Sequence, residues 1–200
     1  MEYPSELIEK TVTELSRLPG IGKRSALRIA LYLLNQPKPT TMNIASAMVD
    51  MRENIKLCSQ CYSLSDTEIC SICSQPKRHR SVVCVVESIR DVMAIENTNQ
   101  YMGLYHVLGG IISPLEGIGA NDIRIRELVE RIENGGVEEV VLALPTTIEG
   151  DTTGYYINKI ISPYIDNISQ IARGVAIGDN IEFTDEITLG RSILNRVPFG

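Results

Sequence analysis

The sequence predicts an α/β chain: a small helical module and a cysteine-rich loop, then a mostly parallel sheet covered by helices, and a helical segment at the end. Three observations predict it. Apolar residues recur at helical spacing up to residue 57, four cysteines fall in two close pairs between 58 and 73, and from residue 81 β-branched runs alternate with helix patterns. Two hundred residues leave room for a small module beside a domain of about 120 residues. The expected divisions are a helical module over 1–57, a cysteine module over 58–73, a basic connector over 74–80, a sheet domain over 81–172 and a C-terminal segment over 173–200.

Residues 5–17 read as a helix because Ile8, Val12 and Leu15 recur at spacings of four and three, with Ser5 able to cap the start. Pro19-Gly20 marks its end. A second helix is expected over about 23–34, with Ala26, Leu27, Ala30, Leu33 and Leu34 on its apolar side, and Pro37 and Pro39 oppose its continuation. A third is expected over about 41–57. The polar stretch 58–73 has little to bury and reads as a metal-held loop with turns. Strands are expected at 82–86, 105–108, 140–144 and 169–172, separated by helices over 89–96, 122–134 and 152–164, with a last helix over 184–195.

Composition removes whole classes of function. At 44% hydrophobic and 22% charged residues, with no run of about 18 apolar residues, the chain is not expected to span a membrane. Its first residues lack the basic start and apolar core of a secretory signal, which places it in the cytoplasm. The net charge of −6 is distributed unevenly: residues 1–80 carry 11 Lys and Arg against 8 Asp and Glu, residues 81–200 carry 8 against 17. Contacts with a polyanion are therefore expected in the front part.

Cys58-x2-Cys61-x8-Cys70-x2-Cys73 offers two thiolate pairs whose spacing lets four sulfurs converge on one ion at about 2.3 Å. In a reducing cytosol this pattern points to zinc rather than to disulfides. All four positions are filled by protein, so no position remains for a reacting water and the ion is structural. Cys84, in an apolar strand, is an ordinary core residue.

Leu18-Pro19-Gly20-Ile21-Gly22-Lys23-Arg24-Ser25 joins the first two helices. The amides that open the second helix have no partner within it, and Lys23, Arg24 and Arg28 add positive charge beside Gly20 and Gly22. Such a turn binds phosphate regardless of base sequence, and it resembles the helix-hairpin-helix DNA-binding motif. Arg17 and Arg24 stand where a P-loop needs Gly and Ser or Thr, so nucleotide binding is not expected here. Lys77-Arg78-His79-Arg80 forms a second basic cluster that could touch DNA.

Glu87 follows the first strand of the sheet, and Glu149-Gly150-Asp151 follows the strand over 140–144. Ligands of open α/β sheets gather at the carboxyl ends of strands, and three carboxylates there could hold magnesium. The arrangement resembles the Toprim domain of primases and of type IA and II topoisomerases. The alternative is an acidic end that stabilises helix N-termini. Tyr155 and Tyr156 read as packing residues, and His79 and His106 are too far apart in sequence to suggest a proton relay.

The order hairpin, four-cysteine module and Toprim-like sheet, with Val86-Glu87-Ser88, Tyr105-His106-Val107-Leu108-Gly109-Gly110, Glu149-Gly150-Asp151 and Thr184-Asp185-Glu186-Ile187-Thr188-Leu189-Gly190-Arg191, resembles the RecR recombination-mediator family across nearly the whole chain. The resemblance implies a non-catalytic, zinc-containing DNA-binding protein of the bacterial cytoplasm and nucleoid. It implies a homo-oligomer, a ring-like tetramer, that binds single- and double-stranded DNA and works with RecO, and in some systems RecF, to load RecA. The C-terminal stretch matches the segment the family calls Walker B-like. Glu149 stands where catalytic Toprim relatives often carry Asp. The competing expectation is a magnesium-dependent Toprim nuclease or topoisomerase-like enzyme using Glu87, Glu149 and Asp151.

Overall fold

The structure, a computed structural model, describes residues 3–198. The chain forms two compact units, the first running to Ile55 and the second from Lys56.

In the first unit, α1 (Glu6–Leu15) opens where Ser5 Oγ accepts the Leu7 amide at 3.2 Å, meeting one of the unpaired donors of the first turn. α2 (Lys23–Leu34) spans the residues the apolar pattern marks. The two helices pack through Val12, Ala26 and Ala30, with Ile8, Leu15, Ile21 and Leu27 around them. The buried alanines are small, which lets the helix axes approach closely. α3 (Lys38–Asn54) begins three residues before the expected start. Pro39 sits in its first turn, where a missing N–H leaves no hydrogen bond unmade, so it opens the helix instead of delaying it.

The second unit starts with a small antiparallel hairpin, β1 (Lys56–Leu57) and β2 (Leu64–Ser65), followed by the single-turn α4 (Ser71–Ser74). The cysteine module is thus a short hairpin and a helical turn, more regular than a bare loop. β3 (His79–Val86), β4 (Gly103–Val107), β5 (Glu139–Ala143) and β6 (Ile168–Gln170) form a fully parallel sheet in the order β4-β3-β5-β6. β3 is central, with Val85 opposite His106 on one side and Leu142 on the other. Strands buried on both faces need no polar alternation, which is why Val82–Val86 is continuously apolar.

Helices cover both faces. α6 (Ile125–Glu133) and α7 (Ile148–Ile161) pack Leu128, Ile132, Ile157 and Ile161 onto Val85, Val140 and Leu142. On the opposite face, Val92 of α5 (Ile89–Asn97) meets Cys84, Val86, Tyr105 and Val107. Ser88 and Asp91 form a reciprocal capping box at the start of α5. α8 (Glu186–Leu194) closes the described chain, capped by Asp185, whose Oδ1 accepts the Thr188 amide at 2.8 Å.

The basic stretch 77–80 is not a free connector. His79 and Arg80 already belong to β3, Arg80 donates to the Cys73 carbonyl, and the largely buried Arg78 forms an ion pair with Glu96, to which Tyr105 also donates at 2.7 Å. The Glu96 carboxyl is held below its usual range first by its bond to Arg78.

His106 lies fully buried in β4. Its Nε2 is 2.7 Å from the Arg124 carbonyl, which can only accept, so Nε2 carries the proton and Nδ1, buried without a partner, is bare. Burial pushes the ring's pKa down from 6.5 to about 4. The unfolded chain takes up the proton first, so this contribution to stability is complete above about pH 6.5 and is lost as pH falls towards 4. The loss amounts to about 3 kcal/mol at 1.36 kcal/mol per pH unit. Denaturant midpoints of wild type and His106→Gln are expected to diverge across that window, the variant being flatter; parallel curves would contradict the assignment.

Candidate metal centre and nucleic-acid interface

Cys58, Cys61, Cys70 and Cys73 are all buried, and their sulfurs lie within 4.8 Å of one another. Four bonds of about 2.3 Å at tetrahedral angles separate sulfurs by about 3.8 Å, and Cys61 Sγ and Cys70 Sγ are 3.6 Å apart. That spacing suits a shared ion and is too long for a disulfide. Backbone amides already point at the sulfurs: Cys70 N donates to Cys58 Sγ at 3.3 Å and Cys73 N to Cys70 Sγ at 3.4 Å. The sulfurs are close enough to act on one another: the hydrogen bond between Cys61 and Cys73 draws the Cys61 thiol down and pushes the Cys73 thiol up. The donor set, closed and all-thiolate, fits structural zinc. Among the described residues only Ile72 adds apolar packing around the sulfurs, so the metal is the core of this module.

The module is anchored on the sheet. Val107 N donates to the Cys61 carbonyl at 2.8 Å, and Arg131 Nη1 bridges the Tyr105 and Gln60 carbonyls at 2.7 and 3.3 Å. Tyr62 holds a left-handed backbone at φ 61°, with its ring edge-on to His106 and under the Arg124 guanidinium. His106 therefore buttresses the zinc module and has no place in proton relay.

In the hairpin the two glycines have different tasks. Gly20 has φ 80°, a conformation that side chains other than glycine's resist, and it turns the chain out of α1. Gly22 has an ordinary φ of −80°, and a Cβ built on it would meet nothing within 4 Å. Neither backbone nor packing within the unit requires a glycine there. The first helical bond of α2 runs from Ala26 N to Gly22 O, so the amides of Lys23, Arg24 and Ser25 have no acceptor within the helix. Lys23, Arg24 and Arg28 are exposed, and none is in an ion pair among the described residues.

The acidic sheet ends are arranged otherwise than expected. Glu87, half-buried after β3, has its carboxyl pushed up first by burial and then by Asp91. Glu149 and Asp151 occupy the first turn of α7, where Thr147 caps the helix, and Gly150 between them is forced: a Cβ there would lie 2.0 Å from the Pro145 carbonyl oxygen. Asp151 Oδ1 is 2.5 Å from Arg173 Nη2, and Oδ2 is 3.7 Å from Arg191 Nη2. Among the described residues, the four cysteines are the one group of three or more metal-ligating side chains whose donor atoms gather within 4.8 Å. Glu87, Glu149 and Asp151 form no such group. The carboxylates of this conformation do not fit a shared magnesium ion. Tyr155 and Tyr156, expected to pack, are both exposed.

The chain matches the RecR helix-hairpin-helix model over residues 8–52, the RecR four-cysteine zinc finger domain over 55–75, the Toprim domain over 81–172 and the RecR C-terminal model over 174–197. It is 57% identical to Recombination protein RecR of Flavobacterium johnsoniae, over 100% of this chain and 97% of the relative. The chain belongs to the RecR family. Recombination protein RecR of Porphyromonas gingivalis is 55% identical over 99% of this chain and 96% of the relative, and that of Parabacteroides distasonis 56% over 98% and 95%. The family's four-cysteine zinc finger and the four converging sulfurs agree on a structural zinc site. No helix of the described residues is long and apolar enough to cross a membrane.

Sequence reasoning missed Arg124, Arg131, Arg173 and Arg191 as site residues. Arg191 closes the C-terminal stretch that carries the family resemblance, but nothing local marks the other three or ties any of them to a site; Arg131 reads as one charge of an amphipathic helix until the fold turns it onto the zinc module.

Zinc sites of this kind contribute roughly 10–16 kcal/mol of apparent binding energy in small peptides. Cys61→Ser should lower bound zinc from one ion per chain to near none, with hydrogen exchange over residues 57–74 becoming fast. Unchanged protection after chelation would show that the metal is not the core of the module.

Proposed function

We propose that the chain is a recombination mediator in DNA repair: it binds DNA without regard to base sequence, as an oligomeric clamp or scaffold, and makes or breaks no bond itself. The observation that carries this reading is Gly22. Its side-chain-free surface is demanded by neither φ nor neighbours, and it stands beside three unpaired amides and the exposed Lys23, Arg24 and Arg28. Missing side chains let a phosphate approach the backbone, the helix dipole favours its charge, and the cations add long-range attraction. All of these act on the sugar–phosphate chain, so single- and double-stranded DNA are both ligands.

The relatives' shared name, Recombination protein RecR, supports the place of this binding in recombination. By family resemblance the partners are RecO and, in some systems, RecF, the outcome is loading of RecA onto single-stranded DNA, and the setting is the bacterial cytoplasm and nucleoid. Exposed Leu31, Tyr32 and Leu34 on α2, and Ile187, Ile193 and Leu194 on α8, support a homo-oligomer, which the family resemblance makes a tetramer. The pairing of Asp151 with two arginines supports a non-catalytic role.

Lys23→Ala with Arg24→Ala is expected to weaken DNA binding and to reduce the slope of log affinity against log salt by about 1.8 on duplex, about 0.9 for each phosphate no longer neutralised. Filter binding across a salt series measures this, and an unchanged slope would remove the hairpin from the interface. Metal-dependent nicking of plasmid DNA that disappears in Glu149→Ala would instead establish the enzymatic alternative.

A further inference from the structure

Residues 171–195 fold back over the carboxyl end of β5 and the start of α7, leaving a cleft of about 640 Å³ whose lining includes Asp151, Tyr155, Asn158, Gln170, Arg173 and Arg191. The return is close, since a Cβ on Gly174 would come within 3.5 Å of Ser192 Oγ in α8. Within this cleft each oxygen of Asp151 faces a different guanidinium, Arg173 at 2.5 Å and Arg191 at 3.7 Å. Arg173 and Asp151 are both largely sequestered, at 17% and 27% side-chain exposure, so their attraction is less screened than that of a surface pair.

We propose that Arg173 and Arg191 are the resident cations of this Toprim site: the C-terminal segment supplies to Asp151 the positive charge that a divalent metal would supply, excludes that metal, and is itself held down by the pairing. The inference deepens the non-catalytic reading above and rests on it. Two positive charges beside a carboxylate repel an incoming divalent ion, and Arg173, at bonding distance, occupies a lone pair that ion would need. The bond to Arg173 holds the Asp151 carboxyl below the usual range, as expected of a group that remains ionised for its partner. The Arg173 Nε is buried without a partner among the described residues, and the contact with Asp151 runs through Nη2. Neither arginine is near Asp151 in sequence, and both come from the segment after β6, so the acidic end and the C-terminal segment constrain one another.

Manganese titration of the zinc-loaded full chain, followed by electron paramagnetic resonance, tests this without DNA and is independent of the hairpin. Wild type should bind manganese no more tightly than Asp151→Asn. Arg173→Met with Arg191→Met should bind at least about tenfold more tightly than wild type, a gain that adding Asp151→Asn removes. A wild-type manganese site abolished by Asp151→Asn, or a folded double variant with no gain, would overturn the proposal. Should the double variant fail to fold, hydrogen exchange decides: Asp151→Asn should speed exchange over residues 184–197, and unchanged protection there would overturn the proposal.

Discussion

The second unit hangs on β3. Its residues Val83–Val86 are paired on both edges, with β4 on one side and β5 on the other, so neither its register nor its facing can shift without exposing Val83, Val85 or Val86. From its first residues Arg80 reaches the Cys73 carbonyl, at its end stands Glu87, and the strands it aligns deliver the zinc module's seat on β4 and the Glu149-Gly150-Asp151 turn after β5. A continuous run of β-branched residues thus fixes, through backbone hydrogen bonds, where chemistry could occur.

What then stands at that place is a charge balance. Carboxylates at the strand ends of an open sheet invite a hard cation. In this chain the cations are guanidinium groups carried by the C-terminal segment, and the one clustered metal site among the described residues is the closed thiolate set. Zinc and the sheet hold the second unit together, and in the first unit the turn at Gly20–Ser25 sets three amides without a helical acceptor beside exposed Lys23 and Arg24.

Much of this was legible in the sequence because its punctuation is strong. α2 lies between a glycine turn and Pro37, the cysteine spacing names its metal, and unbroken apolar runs announce parallel strands. What was hidden depends on partners distant in sequence. Two-residue strands such as β1 and β2 have too few residues to show alternation. Pro39 looked like a barrier, although a first turn does not need its amide. Arg78 looked like one charge of a solvated run, although Glu96 and the fold draw it inward. Asp151 looked like a metal ligand because a carboxylate's position shows in sequence and the arginines that neutralise it, 22 and 40 residues further on, do not.

The function proposed for the chain requires that the bare amides and neighbouring cations of one helical turn receive the DNA backbone. Residue-resolved hydrogen exchange of the zinc-loaded chain, with and without saturating single-stranded DNA of two unrelated sequences, tests this most directly. New protection is expected at the amides of Lys23, Arg24 and Ser25, equal for both sequences. Binding that leaves those three amides exchanging as in the free chain, or protects them with only one sequence, would contradict it.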